Sequence, residues 1–149
     1  MESSLTIYNL ARKFLMDGTL DLDSNTIKLA LVLSTYTPAV TTDEVWADIS
    51  GSPDHEVLTG DGYTIGGATL TGLSIAELAG VVTFTANDVT WSSLTKTFRY
   101  GVLYVDDTVN GIVKPLIACI LFDTTPVDVE VSGVDFLVQW HDDGILTLS

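Results

Sequence analysis

The chain is poor in the residues that usually build reactive sites. It has one cysteine, two histidines and six basic residues among 149. A single Cys119 excludes any intrachain disulfide framework, which agrees with assembly in a reducing cytoplasm. It lies in Leu116-Ile117-Ala118-Cys119-Ile120-Leu121-Phe122, where a small apolar side chain is expected to be packed rather than reactive. Six Lys and Arg against 20 Asp and Glu leave a formal charge of −14 and no basic patch, so phosphate backbones and anionic lipid surfaces are repelled. A basic protein surface is the partner this balance favours. No apolar run reaches the roughly 18 residues of a membrane span, and Glu2 with no early basic cluster does not read as a secretory leader.

Few histidines also limit the chemistry. Nucleophilic catalysis needs a base within hydrogen-bond reach of an activated Ser or Cys, and His55 and His141 both fall in turn-like segments. No Gly-x-Ser-x-Gly elbow occurs. Asp21/Asp23, Asp106/Asp107 and His141/Asp142/Asp143 are the candidate metal ligands, yet none has EF-hand or zinc-ligand spacing, and turn carboxylates ordinarily bond nearby backbone N–H groups. A carboxylate pair could serve a glycosidase, but aromatic residues, which line sugar sites, are only 9%. The expectation is a non-enzymatic chain with no catalytic residue, metal or cofactor.

What is abundant is strand and turn material. Hydrophobic residues make up 46%, enough for one core, and the length fits a single domain over residues 1–149. Leu5, Ile7, Tyr8, Leu10, Ala11, Phe14 and Leu15 recur at helical spacings, so a helix is expected over about residues 4–16, capped by Ser3 or Ser4 and stopped by Gly18. Its apolar face can pack on its own sheet or on a neighbouring subunit. A long strand is expected over 26–34, and one or two helical turns after Thr41 or Thr42. Further strands are expected over 67–73, 81–86, 88–91, 98–105, 113–122, 127–131, 134–140 and 145–148. Asn110-Gly111 and Asp143-Gly144 supply the left-handed residues of two hairpins. Short strands at this spacing with one dominant helix indicate an antiparallel β-sandwich or jelly-roll-like domain with one N-terminal α-helix.

The densest punctuation is Gly60-Asp61-Gly62-Tyr63-Thr64-Ile65-Gly66-Gly67. No Lys-Ser/Thr and no helical pattern follow it, so it is not a phosphate loop. Gly62, Gly66 and Gly67, with Gly111 and Gly144, are expected to be structural turn positions. Trp46, Trp91, Trp140, Tyr63, Tyr100 and Tyr104 are expected to pack core and cross-strand positions, and Leu5, Tyr8, Phe14, Tyr63 and Trp91 are candidate interface residues.

Taken in order, Phe14-Leu15-Met16-Asp17-Gly18, Leu20-Asp21-Leu22-Asp23-Ser24-Asn25-Thr26-Ile27-Lys28-Leu29-Ala30-Leu31 and Ser34-Thr35-Tyr36-Thr37-Pro38 resemble a widespread family of small tailed-bacteriophage virion proteins. So do Gly62-Tyr63-Thr64-Ile65-Gly66-Gly67-Ala68-Thr69-Leu70, Asp88-Val89-Thr90-Trp91, Arg99-Tyr100-Gly101-Val102-Leu103-Tyr104, Lys114-Pro115-Leu116-Ile117 and the terminal Gln139-Trp140-His141-Asp142-Asp143-Gly144-Ile145-Leu146-Thr147-Leu148. Ser92-Ser93-Leu94-Thr95-Lys96-Thr97 departs from the family as a longer segment after the Trp. The resemblance implies a virion structural component with nothing catalytic to carry over. Its acidic balance suits the outer head surface better than a surface lining packed DNA. The leading expectation is a capsid decoration or cement protein that meets the major capsid protein as a symmetric oligomer, a trimer at threefold positions. A tail or neck adaptor or fibre-associated protein is the alternative, and a carbohydrate-binding β-sandwich using Tyr63 or Trp91 is the third.

Overall fold

The computed structural model describes residues 2–149. The chain is mainly β, and every strand pair is antiparallel. Its centre is a five-stranded sheet. Strands β1 (Ser4–Ile7), β10 (Leu116–Leu121), β7 (Tyr100–Val105), β2 (Ile27–Val32) and β3 (Ala68–Thr69) lie side by side in that order. Packed with it are a long two-stranded ribbon of β6 (Val89–Phe98) and β11 (Val129–Val138), and a small sheet ordered β12 (Leu146–Leu148), β5 (Val81–Thr85), β4 (Ser74–Leu78). A short hairpin, β8 (Thr108–Val109) and β9 (Ile112–Val113), completes the strands.

Alternation along the central strands sends side chains to two cores, because successive residues of a strand point to opposite faces. Ile27, Leu29 and Leu31 of β2 and Leu103 and Val105 of β7 join Trp91, Leu94 and Phe98 of the ribbon, Phe84 of the small sheet and Phe14 in the larger core. Ala30, Val32, Val102, Tyr104 and Cys119 face the other way, under Tyr36, Trp46 and Ile49 of the segment carrying the one-turn helix α2 (Ala47–Ser50). The central sheet is therefore buried on both faces, which explains the long apolar runs of β2 and β10. A buried polar chain pins the covering segment: the Tyr8 and Tyr36 hydroxyls lie 2.9 Å apart, and Tyr36 donates to Asp43 at 2.6 Å. Burial, the largest influence, pushes both phenols above their ordinary pKa.

The fold class agrees with the sequence reading, while several elements differ. The expected helix over 4–16 is a strand followed by a helix. Residues Ser4–Ile7 pair with β10, and α1 covers only Asn9–Met16, so neither Ser3 nor Ser4 caps it. Leu5 and Ile7 sit two apart and fit a strand, whereas Ala11 and Phe14 follow the helical period and are buried on this chain's own core. Ser92–Thr97 is not a loop but part of the ten-residue β6. Its partner β11 runs unbroken through Gly133, where the expected strand boundary is instead a register shift. The strand expected over 67–73 shrinks to Ala68–Thr69, and an unforeseen strand, β4, follows it.

The Asn110-Gly111 hairpin forms as expected, with Val109 opposite Ile112 and both turn residues at positive φ. The His141–Gly144 turn does not make a hairpin. Gly144 bends the chain, but β11 pairs with β6 and β12 with β5, so the turn carries the chain between sheets. Trp140 is tied beforehand to Asn87 and Asp88, and Ile145 N–H donates to Phe84 C=O at 2.8 Å to start the new pairing.

Candidate functional site

The glycine block is held tightly against its neighbours at two of its turn positions. Gly62, Gly66, Gly67, Gly111 and Gly144 all have positive φ, as expected of turn positions. Three of them do more than turn. A Cβ on Gly144 would meet the Thr83 side chain and sit 2.8 Å from the Phe84 carbonyl oxygen. A Cβ on Gly62 would sit 2.8 Å from the Ser92 carbonyl oxygen, and one on Gly67 would reach the Leu29 carbonyl oxygen and sit 2.7 Å from Ala30 Cα. The block is thus wedged between the ribbon and strand β2.

Its position is fixed by a carboxylate that sequence reading passed over. Glu56 is the one buried charged residue in the chain's described interior, 2% exposed. Tyr63 donates its hydroxyl hydrogen to Glu56 Oε1 at 2.7 Å, and Gly66 N–H donates to the same oxygen. The Tyr63 oxygen accepts from Leu31 N–H of β2 at 3.1 Å, while Tyr104 donates to Gly66 C=O at 2.8 Å. Burial is the largest influence on Glu56 and raises its pKa above the ordinary glutamate range, against the Tyr63 and Gly66 hydrogen bonds that lower it. Tyr63 is displaced upward by the same burial and by the Glu56 charge.

Beside Glu56 lies an open pocket of about 530 Å³. Trp46 and Tyr104 are stacked at 4.5 Å between ring centroids, and both line it. Lys28 and Lys114 lie along it and are both held by Asp106, at 2.9 and 2.7 Å. These two ammonium groups, Lys114 first, lower the pKa of Asp106.

A second surface feature is apolar. In the small sheet, β4 is exposed along its whole length and forms the sheet's edge; Leu78 on β4 is 80% exposed, Leu148 on β12 is 70% exposed, and Ile75 on β4 and Val82 on β5 are partly exposed, with Ile75, Val82 and Leu148 on the face opposite to that of Leu78. A groove of about 390 Å³, walled by Leu15, Leu20, Leu22, Val82 and Leu146, separates this sheet from α1. Around it the surface is acidic. Five of the six basic side chains are in ion pairs, namely Lys13, Lys28, Lys96, Arg99 and Lys114, so most carboxylates have no cationic partner.

Among the candidate interface residues, Tyr8, Phe14, Tyr63 and Trp91 are buried in this chain's own cores and Leu5 is half-buried, so the first four cannot present a contact surface. Their aromatic and apolar bulk was needed at home to close two cores. Exposed apolar side chains lie elsewhere, among them Ile75, Leu78, Val82 and Leu148 of the small sheet. The same burial removes Tyr63 and Trp91 as a sugar-stacking platform.

The histidines remain far apart in role. His55 Nδ1 lies 2.9 Å from the Thr35 hydroxyl against the Tyr36 ring, and exposed His141 pairs with Asp143. Cys119 is buried, and that burial pushes its thiol pKa up to about 12. Among the described residues no group of three or more His, Cys, Asp or Glu side chains converges as a metal site would require. The neighbouring carboxyls of Asp21 and Asp23 drive each other apart, the pKa of Asp21 being lowered and that of Asp23 raised. No described helix is long and apolar enough to cross a membrane. Comparison with family models, curated proteins and solved structures gave no match.

Proposed function

We propose that this chain is a non-enzymatic structural protein of a tailed-bacteriophage virion, acting as a capsid decoration or cement protein on the outer head surface. The observation that carries this reading is the apolar face of Ile75, Val82 and Leu148 on an edge-bearing sheet, with Leu78 exposed on the opposite face of the edge strand, in a strongly anionic chain. Exposed apolar groups gathered on one sheet favour contact with another protein. A charge of −14 keeps such a surface away from nucleic acid and directs it to a basic or neutral protein neighbour, the major capsid protein in this reading. Removing a side chain as exposed as Leu148 from water contributes up to roughly 1.5–3 kcal/mol, and the half-buried Ile75 and Val82 contribute less. Repeated over many copies and over a symmetric oligomer, that burial stabilises the shell because only the assembled state binds the protein. The resemblance of the segment order to small virion proteins supports the same reading.

The test is to prepare particles with and without the protein and measure their disruption temperature and survival of osmotic shock. Depleted particles are expected to fail earlier, with purified protein restoring them and Leu148→Asp protein failing to do so. Depleted particles that survive both stresses unchanged would sink the cementing role. Placement at the tail or neck is the second reading, favoured by β1 and β4 standing at sheet edges, since strand addition from copy to copy can close a ring. A copy number of about six or twelve per particle, instead of hundreds, selects it.

A further inference from the structure

Glu56 has one oxygen in use and one to spare. Oε1 takes both hydrogen bonds, from Tyr63 and Gly66, whereas Oε2 has no partner among the described residues. Among the described residues no partnerless side-chain oxygen is sealed from solvent, so Oε2 is reached from the pocket that Glu56 lines. Asp54 stands at the same wall; its Oδ1 accepts Glu56 N–H at 2.9 Å, and its Oδ2 has no partner among the described residues. The pocket's cations are already answered, because Lys28 and Lys114 both bind Asp106. Three carboxylates stand against two ammonium groups, and the unanswered atoms are acceptors. That combination fits one incoming cation with several N–H donors.

We propose that this pocket receives an arginine side chain of a protein partner, its guanidinium bridging Glu56 Oε2 and Asp54 Oδ2 beside the Trp46 indole. A guanidinium matches two carboxylate oxygens in one plane and lies well against an aromatic wall, which an ammonium does less well. The source is a protein because Ile65 and Val113 line the same pocket with half or more of their surface exposed, at 51% and 61%. Apolar groups around a buried polar anchor are the anatomy of a contact hot spot, and a free small cation would leave them wet. Burial disfavours the ionised Glu56 and the Asp54 charge adds to that, while Lys114 opposes it; a cation at Oε2 relieves the burden.

The test uses the purified chain without any capsid, so its outcome is independent of the virion reading. Butylguanidinium, its neutral counterpart butylurea, and the peptide acetyl-Val-Arg-Val-amide are titrated while the Trp46 indole N–H and Gly66 amide signals are followed by NMR. Butylguanidinium is expected to shift both signals and butylurea neither. Asp54→Asn should weaken binding by about tenfold, as expected for losing one charged hydrogen bond, and Glu56→Gln should weaken it further. Asp54 is exposed, so its variant carries the test even if Glu56→Gln does not fold. The peptide should bind at least about tenfold more tightly than butylguanidinium by covering Ile65 and Val113. Equal shifts from butylurea, or undiminished binding by Asp54→Asn, would overturn the cation site. A peptide no tighter than butylguanidinium would assign it to free cations and overturn the protein partner.

Discussion

Substituting alanine at Gly67 separates a glycine that merely turns from one that lets two strands meet. Gly18 and Gly67 share the same φ of +76°, so alanine at either site carries the same left-handed strain, about 1–2 kcal/mol, partly offset by a stiffer unfolded chain. At Gly18 nothing lies within 4 Å of the added carbon, and the cost stops there. At Gly67 the methyl meets the Leu29 carbonyl oxygen and lies 2.7 Å from Ala30 Cα. Those atoms cannot retreat, since β2 is hydrogen-bonded to β7 along Ile27–Val32. Residue 67 must move instead, and it carries Gly66, whose N–H serves Glu56 and whose carbonyl serves Tyr104. Overpacking of about 1–3 kcal/mol and a weakened bond to a buried carboxylate of about 1–3 kcal/mol add to the strain. Gly67→Ala should therefore lose roughly 3–6 kcal/mol and Gly18→Ala about 1 kcal/mol. Urea unfolding followed by tryptophan fluorescence reads the difference: at a slope of about 2 kcal/mol per molar, Gly67→Ala shifts the midpoint by about 1.5 M or more, with the slope unchanged. If the two variants fall within about 1 kcal/mol of each other, the wedge reading is wrong.

Tyr63→Phe leaves Leu31 N–H without its acceptor and Glu56 Oε1 without its hydroxyl donor, and should cost about 2–4 kcal/mol, with amide exchange quickened at Leu31. Exchange at Leu31 no faster than in the parent protein would show that the hydroxyl does not close this edge. Glu56→Gln tests the raised pKa. A native pKa above the unfolded value, about 4.3, means that the stability tied to the neutral acid is complete below that value and is lost as pH climbs through the native pKa. The stability of Glu56→Gln relative to the parent should thus rise between acid and neutral pH in paired urea titrations, and a flat or falling difference refutes it. Cys119, with its thiol pushed up to about 12, should react with a thiol reagent at neutral pH only as fast as the chain opens. Prompt native-state labelling would contradict its burial.

The β class was legible because turn chemistry and strand-forming residues coincide in sequence, as at Asn110-Gly111 and in β2. Errors arose where two periods fit the same residues. Leu5 can pair in register with Ile7 for a strand or with Tyr8 for a helix, and β10, more than 100 positions away, decides for the strand. Strand β4 was invisible because Ala76, Glu77 and Leu78 favour helices locally; pairing with β5 overrides them. Gly133 reads as a break, yet a bulge absorbs it inside β11. The Glu56 hub left no local mark, since a Glu following Asp54-His55 looks like an exposed turn. Its partners, Tyr63 and Gly66, lie inside the glycine block, and only the folding of that block against β2 buries the carboxylate. The block was the one available signal: a tyrosine set among glycines that no turn alone required.

The treatment of sheet edges ties that hub to the proposed contact surface. Strand β3 covers only Lys28 and Leu29 of β2, which would leave the rest of that edge open. The segment leading into the glycine block closes it: His55 C=O accepts from Leu33 N–H, Val57 N–H donates to Leu31 C=O, and the Tyr63 hydroxyl takes Leu31 N–H. Burying Glu56 is the cost of holding that cover in place, because the carboxylate orients Tyr63. Edge β4 receives no such cover and carries Ile75 and Leu78 in the open. A chain that commits a buried carboxylate to sealing one edge, and leaves another apolar edge bare, has distinguished the two. Open apolar edges invite self-association, and at −14 per copy mutual repulsion opposes it. The β4 edge is then satisfied best by a neighbour that also neutralises charge, which is the property the proposed capsid partner must have.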